Sequence, residues 1–418
     1  MRSAPERLHS LDAFRAFALL LGVCLHAAMA FIVPSTEWAV GAPQTATVPA
    51  LFAYYVHCFR MEAFFLLAGF FAHVVIGRRG LSAFLRDRAL RIALVFVVVL
   101  YPMKVVLSAC WVSGGLHTGA IRLPPEVASL PLWQLALGGP AQESWPRINL
   151  THLWFLYYLI VVTALFQAGH RLVSWLLRPE HAARRLAHAA YHRVGCSWFA
   201  PVALAVALIP LLRAMKSSNI DTPDAGFAWH WPVLTLYGLF FALGWVLQRH
   251  QDLLPSLARR WSIYLPLSLL IGLISAVGTG ARIAGGAWAL EHASALHLAT
   301  AAGTSLTMCL AVAGWLGLFV RFFNHPRAWV RYLADSSYWI YLVHLPLVVG
   351  LQVWFAHGGW PWWIQWPLIN AISFTMLLSS YHFFVRTTWI GAWLNGRRAL
   401  PLPLPLYAST TPRPIAAD

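Results

Sequence analysis

Charged residues are scarce in this chain. Only 11% of its 418 residues are Asp, Glu, Lys or Arg, whereas 59% are hydrophobic. A soluble domain contains about 25% charged residues, so a water-soluble globular fold is excluded. Lysine is the scarcest charged type, present only as Lys104 and Lys216, so the positive charge is almost entirely arginine.

Cysteine and the common nucleotide and metal motifs are also scarce or missing. The five cysteines lie in or beside apolar segments, are odd in number and lack CxxC spacing, so we infer neither a disulfide framework nor a cysteine metal site. The chain has no GxGxxG after a strand, no GxxxxGK[ST] and no HExxH. Redox, ATP-driven and zinc-hydrolase functions therefore have no motif. We predict no metal site and no permanently bound cofactor.

Long apolar runs dominate what is present, and short arginine-bearing stretches separate them. About 20 apolar residues cross a bilayer, and only helices satisfy their backbone within lipid in such runs. The pattern predicts an all-α, polytopic transmembrane helical bundle of about ten spans. The predicted spans are roughly 11–33, 50–77, 91–112, 150–173, 196–213, 230–249, 261–281, 296–320, 336–355 and 363–386.

The net charge of +16 is distributed unevenly between the connections. The arginines lie between spans rather than along a soluble face, which indicates membrane topology and not nucleic-acid binding. With the N-terminus inside, most basic residues fall on one side, so we predict that both termini are cytoplasmic in a bacterial inner membrane. Residues 1–400 are predicted to form one membrane domain, and the Pro-rich residues 401–418 a cytoplasmic tail.

The first span carries two ionisable residues, Arg15 and His26. Such groups cost about 2.5–3.5 kcal/mol inside a membrane, so they are candidate functional residues. Their spacing of eleven residues places both on one helix face, about 16 Å apart. Arg15 near the mouth can bind phosphate or carboxylate, and His26 deeper in can act as a general base. The alternative is that Arg15 snorkels and His26 is a hydrogen-bonded packing residue.

The second span contains Arg60 and Glu62. Residues two apart point in different directions on a helix, so each needs a partner on another helix. We predict that Glu62, at the depth of His26, orients that imidazole and stabilises its protonated form. We predict Arg60 to bind substrate. A local charge pair between Arg60 and Glu62 is the alternative.

Two further groups are candidates. Tyr341 and His344 line one face of the ninth span with Ser337, as substrate-binding residues or as interhelical hydrogen-bonding groups. Arg88 and Arg91, three apart at a helix entrance, can clamp a nucleotide phosphate or anchor the topology. Weaker candidates are Lys104, His152 and His230, residue types that more often belong to membrane-interface belts or packing.

The order of these motifs resembles the acyltransferase-3 family of integral membrane O-acyltransferases. The resemblance covers about 330 residues and is carried by several weak motifs together. The matching positions are Arg15 and His26; Glu62, Phe64-Phe65 and Ala68-Gly69-Phe70; Arg88 and Arg91; Trp154-Phe155-Leu156; and Ser337-Tyr338, Tyr341-Leu342 and His344. One departure is Ala68, which stands where the family usually has serine.

The resemblance implies acyl transfer across the membrane. The donor would be a cytoplasmic acyl-CoA bound near Arg15, Arg88 and Arg91, and the acceptor a hydroxyl of a periplasmic or envelope glycan. His26 would be the base and Glu62 its orienting carboxylate. Segments around Arg60 and His344 are similar to a subgroup associated with succinylation of periplasmic glucans, so we expect a succinyl or acetyl group.

The residues alone leave two other functions open. A carrier or flippase for a glycolipid or anionic solute would line a passage with the same polar groups, and a structural membrane subunit would not need them. The expected partners of the enzyme are the acyl-CoA donor, the glycan acceptor and the lipid bilayer, with no nucleic acid.

Overall fold

The computed structural model confirms the predicted all-α fold. It describes residues 9–32, 38–41, 46–141, 143, 147–176, 182–217 and 219–396. Within these ranges every regular element is helical and no strand occurs. The predicted tail at 401–418 lies outside the described residues, so the division into a membrane domain and a tail stays a prediction.

The described residues contain fifteen α-helices, and the long helices correspond broadly to the apolar runs of the sequence. They are α1 (His9–Met29), α2 (Thr47–Arg88), α3 (Leu94–Thr118), α4 (Pro125–Ala128), α5 (Leu132–Ala141), α6 (Trp154–Leu176), α7 (Ala182–Cys196), α8 (Ala200–Arg213), α9 (Trp231–Leu247), α10 (Leu254–Ala284), α11 (Ala287–Glu291), α12 (Ala293–Phe322), α13 (Ala328–Ala356), α14 (Trp362–Ser380) and α15 (Trp389–Asn395). Short π-helical turns at Ala89–Ala93 and Tyr381–Val385 join α2 to α3 and follow α14.

Seven helical runs in the described residues are long and apolar enough to cross a membrane. The number rises to eight if Arg185–Cys196 and Ala200–Arg213, bent by 115°, form one broken span. The chain is therefore a polytopic membrane bundle. The predicted number of ten spans and the side on which the termini lie stay predictions.

One of the seven runs, Thr47–Thr118, is too long for a single crossing. Its 72 residues would extend about 108 Å as one straight helix, far beyond a hydrocarbon core of about 30 Å. Gly80 breaks it with a φ of 79°, a conformation that only glycine adopts easily. The chain reverses there, because His57 before the break and Trp111 after it line the same cavity.

Helix α1 occupies the centre of the bundle. It packs against α2 and α13 and also contacts α12 and α14. Its small residues Ala18, Gly22 and Ala27 are buried, which permits close helix approach. Helix α1 is therefore in contact with several other helices, and its polar side chains can meet residues of those helices.

Helices α2 and α9 are in backbone contact. A Cβ atom added to Gly69 would collide with the carbonyl oxygen of Phe241, and one added to Gly244 would collide with that of Leu66. Glycine at both positions therefore permits the close approach. The glycine of Ala68-Gly69-Phe70 thus has a packing role, and α9 fixes the height of the polar residues on α2.

Candidate active site

A cavity of about 1330 Å³ lies at the end of the bundle where α1 ends and α2 begins; we call this the cavity end. Its walls come from helices α1, α2, α3 and α10 and from the connections before α6 and after α8. The side chains used below that line it are His26, Trp38, His57, Lys104, Trp111 and His152. His26 therefore faces a cavity and not lipid.

Three histidines from different elements meet at the base of this cavity. The ring centroids of His26 and His344 are 5.2 Å apart, and those of His344 and His152 are 5.1 Å apart. His344 is buried, with 2% of its surface exposed. The structure thus joins the predicted base on α1 to the histidine motif of α13 and to a residue whose sequence signal was weak.

The hydrogen bonds of His344 identify its neutral tautomer. Its Nδ1 lies 2.7 Å from the carbonyl oxygen of Tyr341, so Nδ1 donates the proton. In the neutral ring Nε2 then has a free lone pair, and this buried atom has no hydrogen-bond partner in the described part of the chain. A basic nitrogen is therefore directed into the space beside His26.

Arg60 reaches this space past a glycine of α1. A Cβ atom on Gly22 would collide with Nη1 of Arg60 and would lie 4.0 Å from Nε2 of His344. Only the missing side chain of Gly22 lets the guanidinium pass between α1 and α13. Arg60 therefore places a permanent positive charge next to both histidines.

Glu62 does not hold His26 as we predicted. Its carboxyl group is fully buried, and among the described residues neither oxygen has a hydrogen-bond partner. The groups whose charge acts on His26 are His344, Arg60, His152 and His57. Arg60 also interacts electrostatically with Glu62, so it is the residue through which that carboxylate can influence the histidines.

A second polar group positions the aromatic wall of the site. The amide nitrogen of Gln352 donates to the backbone oxygen of His26 at 2.8 Å, and its amide oxygen accepts from Nε1 of Trp38 at 2.9 Å. The Trp38 ring stacks on His26, with centroids 6.1 Å apart and planes at 5°. Gln352 was missed, although a glutamine inside an apolar span is itself a signal.

Tyr341 and His152 fasten the connection before α6 to α13. The Tyr341 hydroxyl donates to the backbone oxygen of His152 at 2.8 Å, and Nε2 of His152 donates to the backbone oxygen of Leu342 at 3.2 Å. Phe155 of the Trp154-Phe155-Leu156 motif packs on the Tyr341 ring at 5.7 Å. These motifs therefore build the wall of the cavity, and Tyr341 is bound to protein backbone.

The connection after α8 is ordered by a carboxylate at the cavity rim. Asp221 accepts hydrogen bonds from the backbone nitrogens of Lys216 and Ser217 and lies 3.0 Å from Nε2 of His230. Partial burial raises the pKa of Asp221, but these backbone donors and His230 outweigh it and lower the pKa below its usual range. The neighbouring Ile220 accepts from His57 at 2.8 Å.

The predicted donor arginines meet at the other end of α1, which we call the arginine end. Arg15 lies over the ring of Phe71 at 5.7 Å and 3.5 Å from Asp12. Arg88 lies over the ring of Phe84 at 5.0 Å and is close enough to Arg15 for their charges to interact. The side chain of Arg15 is 39% exposed, so this end is accessible to a soluble ligand.

Arg91 belongs to the same group but is held by its own segment. Its guanidinium lies 3.6 Å from Asp87, and its backbone oxygen accepts a 2.6 Å hydrogen bond from the Tyr338 hydroxyl. In the described chain, none of Arg15, Arg88 and Arg91 lines the cavity. The structure thus brings the three arginines together, yet about 16 Å of helix α1 separates them from His26.

The fold and this site define a membrane-embedded helical protein with a histidine-lined internal cavity. A sequence profile described as "Acyltransferase domain" matches residues 8–385, so the chain belongs to the acyltransferase-3 family. It is accordingly an O-acyltransferase, as the motif resemblance predicted.

Three relatives carry the name Glucans biosynthesis protein C. Those of Salmonella paratyphi A (strain ATCC 9150 / SARB42) and Salmonella agona (strain SL483) are each 24% identical over 364 residues. That of Salmonella enteritidis PT4 (strain P125109) is 24% identical over 357 residues. Each alignment covers 84% of both chains. No solved structure matches the chain significantly.

Proposed function

We propose that this protein transfers a succinyl or acetyl group from a cytoplasmic acyl-CoA to a hydroxyl of a periplasmic or envelope glycan, in the bacterial inner membrane. The observation that carries the proposal is the position of His26, whose ring faces a large cavity beside His344 and Arg60. Membership of the acyltransferase family and relatives named for glucan biosynthesis support the reaction class and the acceptor.

The cavity suits an oligosaccharide acceptor. Its volume of about 1330 Å³ exceeds the range of about 300–1,000 Å³ that encloses drug-sized ligands. Trp38 and Trp111, whose rings are 5.2 Å apart, offer flat apolar faces to sugar rings. Lys104, which forms an ion pair with Glu143 and donates to the backbone oxygen of Asn149, places polar groups near the sugar hydroxyls. With the termini inside, this end faces the periplasm.

The arginine end suits the donor. Arg15, whose side chain is 39% exposed, and its neighbour Arg88 both carry positive charge, which matches the phosphates of coenzyme A. Arg91, which forms an ion pair with Asp87, lies beside this group and belongs to the same donor site. The acyl-bearing arm would extend along α1 toward His26, past Gly22 and Arg60.

The proposed reaction uses the imidazoles of His26 and His344 and the buried guanidinium of Arg60. His26 removes the proton from the acceptor hydroxyl as its oxygen attacks the thioester carbonyl. Arg60 stabilises the negative charge that develops on the carbonyl oxygen. The carbon–sulfur bond then breaks, the coenzyme A thiolate takes the proton from His26, and the acylated glycan leaves through the cavity. Glu62 acts on this step through Arg60, and His344 and Tyr341 hold the wall against which the acceptor binds.

A comparison of glycans tests the proposal. Periplasmic and envelope glycans from a deletion strain and its parent are analysed by mass spectrometry, and complementation uses wild-type or His26→Gln protein at equal abundance. We expect the deletion strain to lose the mass increment of one acyl group and the variant not to restore it. A carrier would instead show unmodified glycan held on the wrong side of the membrane. Unchanged glycans in the deletion strain would refute the proposal that a periplasmic or envelope glycan is the acceptor.

A further inference from the structure

A cluster of metal-ligating side chains lies outside the active site. One ligand atom each from His192, His250 and Asp252 fall within 4.8 Å of one another. We propose that this cluster binds a single divalent transition-metal ion, for which Zn²⁺ has the matching ligand preference. The proposal is independent of the acyl acceptor and donor.

The arrangement arises from two short sequence patterns. His188, His192 and Cys196 recur every fourth residue in α7 and so lie on one helix face. His250 and Asp252 come from the connection between α9 and α10, which packs against α7. The proposed site thus combines one ligand of α7, His192, with two ligands of the connection that packs against it.

The observed contacts are those of ligands close to a shared point. Nε2 of His192 lies 2.6 Å from Oδ2 of Asp252. Nδ1 of His188 lies 3.2 Å from Nε2 of His250. The sulfur of Cys196 is 3.9 Å from both ring nitrogens of His192. Two imidazole nitrogens and one carboxylate oxygen form a ligand set typical of zinc, and water can complete the four-coordinate shell.

The protonation of His250 follows from Arg249. Nη1 of Arg249 lies 3.4 Å from Nε2 of His188 and can only donate. His188 therefore carries its proton on Nδ1 and donates it to Nε2 of His250, which keeps a lone pair. That nitrogen can bind an ion once His188 turns aside. The positive charge of Arg249 lowers the affinity of the site for a metal ion, but its guanidinium does not take the position of the ion.

A bound ion would fix α7 to the bundle. In addition to the cluster, α7 is attached by the Tyr191 hydroxyl, which donates to the backbone oxygen of Leu243 at 3.3 Å. Arg249 also donates to His73 of α2 at 3.1 Å, two residues from the Phe71 ring that supports Arg15. The ion would thus link α7 to the end of the bundle that holds the arginines.

Metal binding to the purified, untagged full chain in detergent tests the proposal. The chain is titrated with Zn²⁺ alone, and bound metal is counted after gel filtration. We expect one tightly bound ion per chain and an affinity that falls as the pH is lowered, because protons compete with the metal for its ligands. His192→Asn and His250→Asn should each weaken binding by more than about tenfold, since even outer partners of ligands contribute 10–100-fold.

A control separates this site from ordinary surface histidines. The rings of His117 and His357 lie with centroids 3.8 Å apart and planes at 34°, in a different part of the bundle, so His117→Asn should bind Zn²⁺ as wild type does. The proposal is overturned if wild type binds no stoichiometric ion, or if the double variant His192→Asn/His250→Asn binds as tightly. If that variant fails to fold, Co²⁺ bound to wild type decides: tetrahedral ligand-field bands support the site, and their absence overturns it.

Discussion

The two ends of α1 handle polar groups in different ways. At the arginine end, permanent charges are partly exposed and lie near carboxylates and aromatic rings, as Arg15 does with Asp12 and Phe71. At the cavity end, His344 and His152 are buried and bonded to backbone oxygens. A charge that must stay ionised is cheapest where water reaches it. Groups that exchange protons can be buried, because their neutral forms need only hydrogen bonds. Arg60 and Lys104 are exceptions at the cavity end: Arg60 brings a positive charge to the histidines, and the buried Lys104 is paired with Glu143.

The largest effect is expected from His26→Ala. Removing the base should lower the rate of acyl transfer by about 10²–10⁴-fold, while donor binding at the distant arginine end is retained. Purified protein with acyl-CoA and glycan acceptor gives the rate, and equilibrium binding of the donor gives the affinity. A His117→Ala control should keep full activity. Equal loss of donor affinity and rate would show that the two ends are not separate.

Gly22→Val tests whether Arg60 must pass α1. The new side chain would occupy the position of Nη1 of Arg60, and a displacement of about 1 Å in a catalytic group costs about 10²-fold in rate. We expect that loss in the turnover rate of folded protein. Gly238→Val is the matched control, because a Cβ atom there meets nothing within 4 Å. Full activity of the Gly22→Val variant would show that the position of Arg60 is not important for the reaction.

Arg88→Gln tests the arginine end alone. Charge-assisted hydrogen bonds contribute about 1.5–3 kcal/mol, so the KM for acyl-CoA should rise by about 10–100-fold, with little change in the KM for the acceptor. Arg259→Gln, at an exposed position of α10, should leave both constants unchanged. If Arg88→Gln instead raised the KM for the acceptor, the arginines would be shown to bind the acceptor and not the acyl-CoA donor.

The smallest effect is expected from Gln352→Leu. The substitution removes the hydrogen bonds that tie Trp38 to α1, each with a net value of about 0.5–1.5 kcal/mol. Acceptor KM should therefore rise by about two- to tenfold, and donor KM should not change. Steady-state kinetics with each substrate varied in turn provides the measurement. Thermal unfolding of the variant serves as the control for a general loss of stability.

Helical periodicity was sufficient to predict part of this site. The spacing of Arg15 and His26 places them on one stripe of α1, and Tyr341 and His344 share a face of α13, because both relations lie within a single helix. The all-α class and the membrane environment followed from the apolar runs. These features depend only on residues near in sequence.

The contacts between helices could not be predicted in the same way. Arg60 reaches the histidines only because Gly22 is opposite. Glu62 has no hydrogen bond to a histidine among the described residues, although its depth in the membrane is similar. His152 joins the cluster from a connection whose path depends on Tyr341. Such relations require the rotation and spacing of packed helices, and a single sequence contains no measurement of either.

The π-helical turn at Ala89–Ala93 has an evolutionary consequence. Turns of this kind hold one residue more than the α-helical path requires. Loss of a single residue within the turn would therefore leave an uninterrupted α-helix whose later side chains keep their directions. A deletion in α3 between Leu94 and Lys104 would instead rotate Lys104 and Trp111 by about 100°, away from the cavity, while Arg88 stayed in place. Deletions should therefore be tolerated within the turn and eliminated by selection for activity just beyond it.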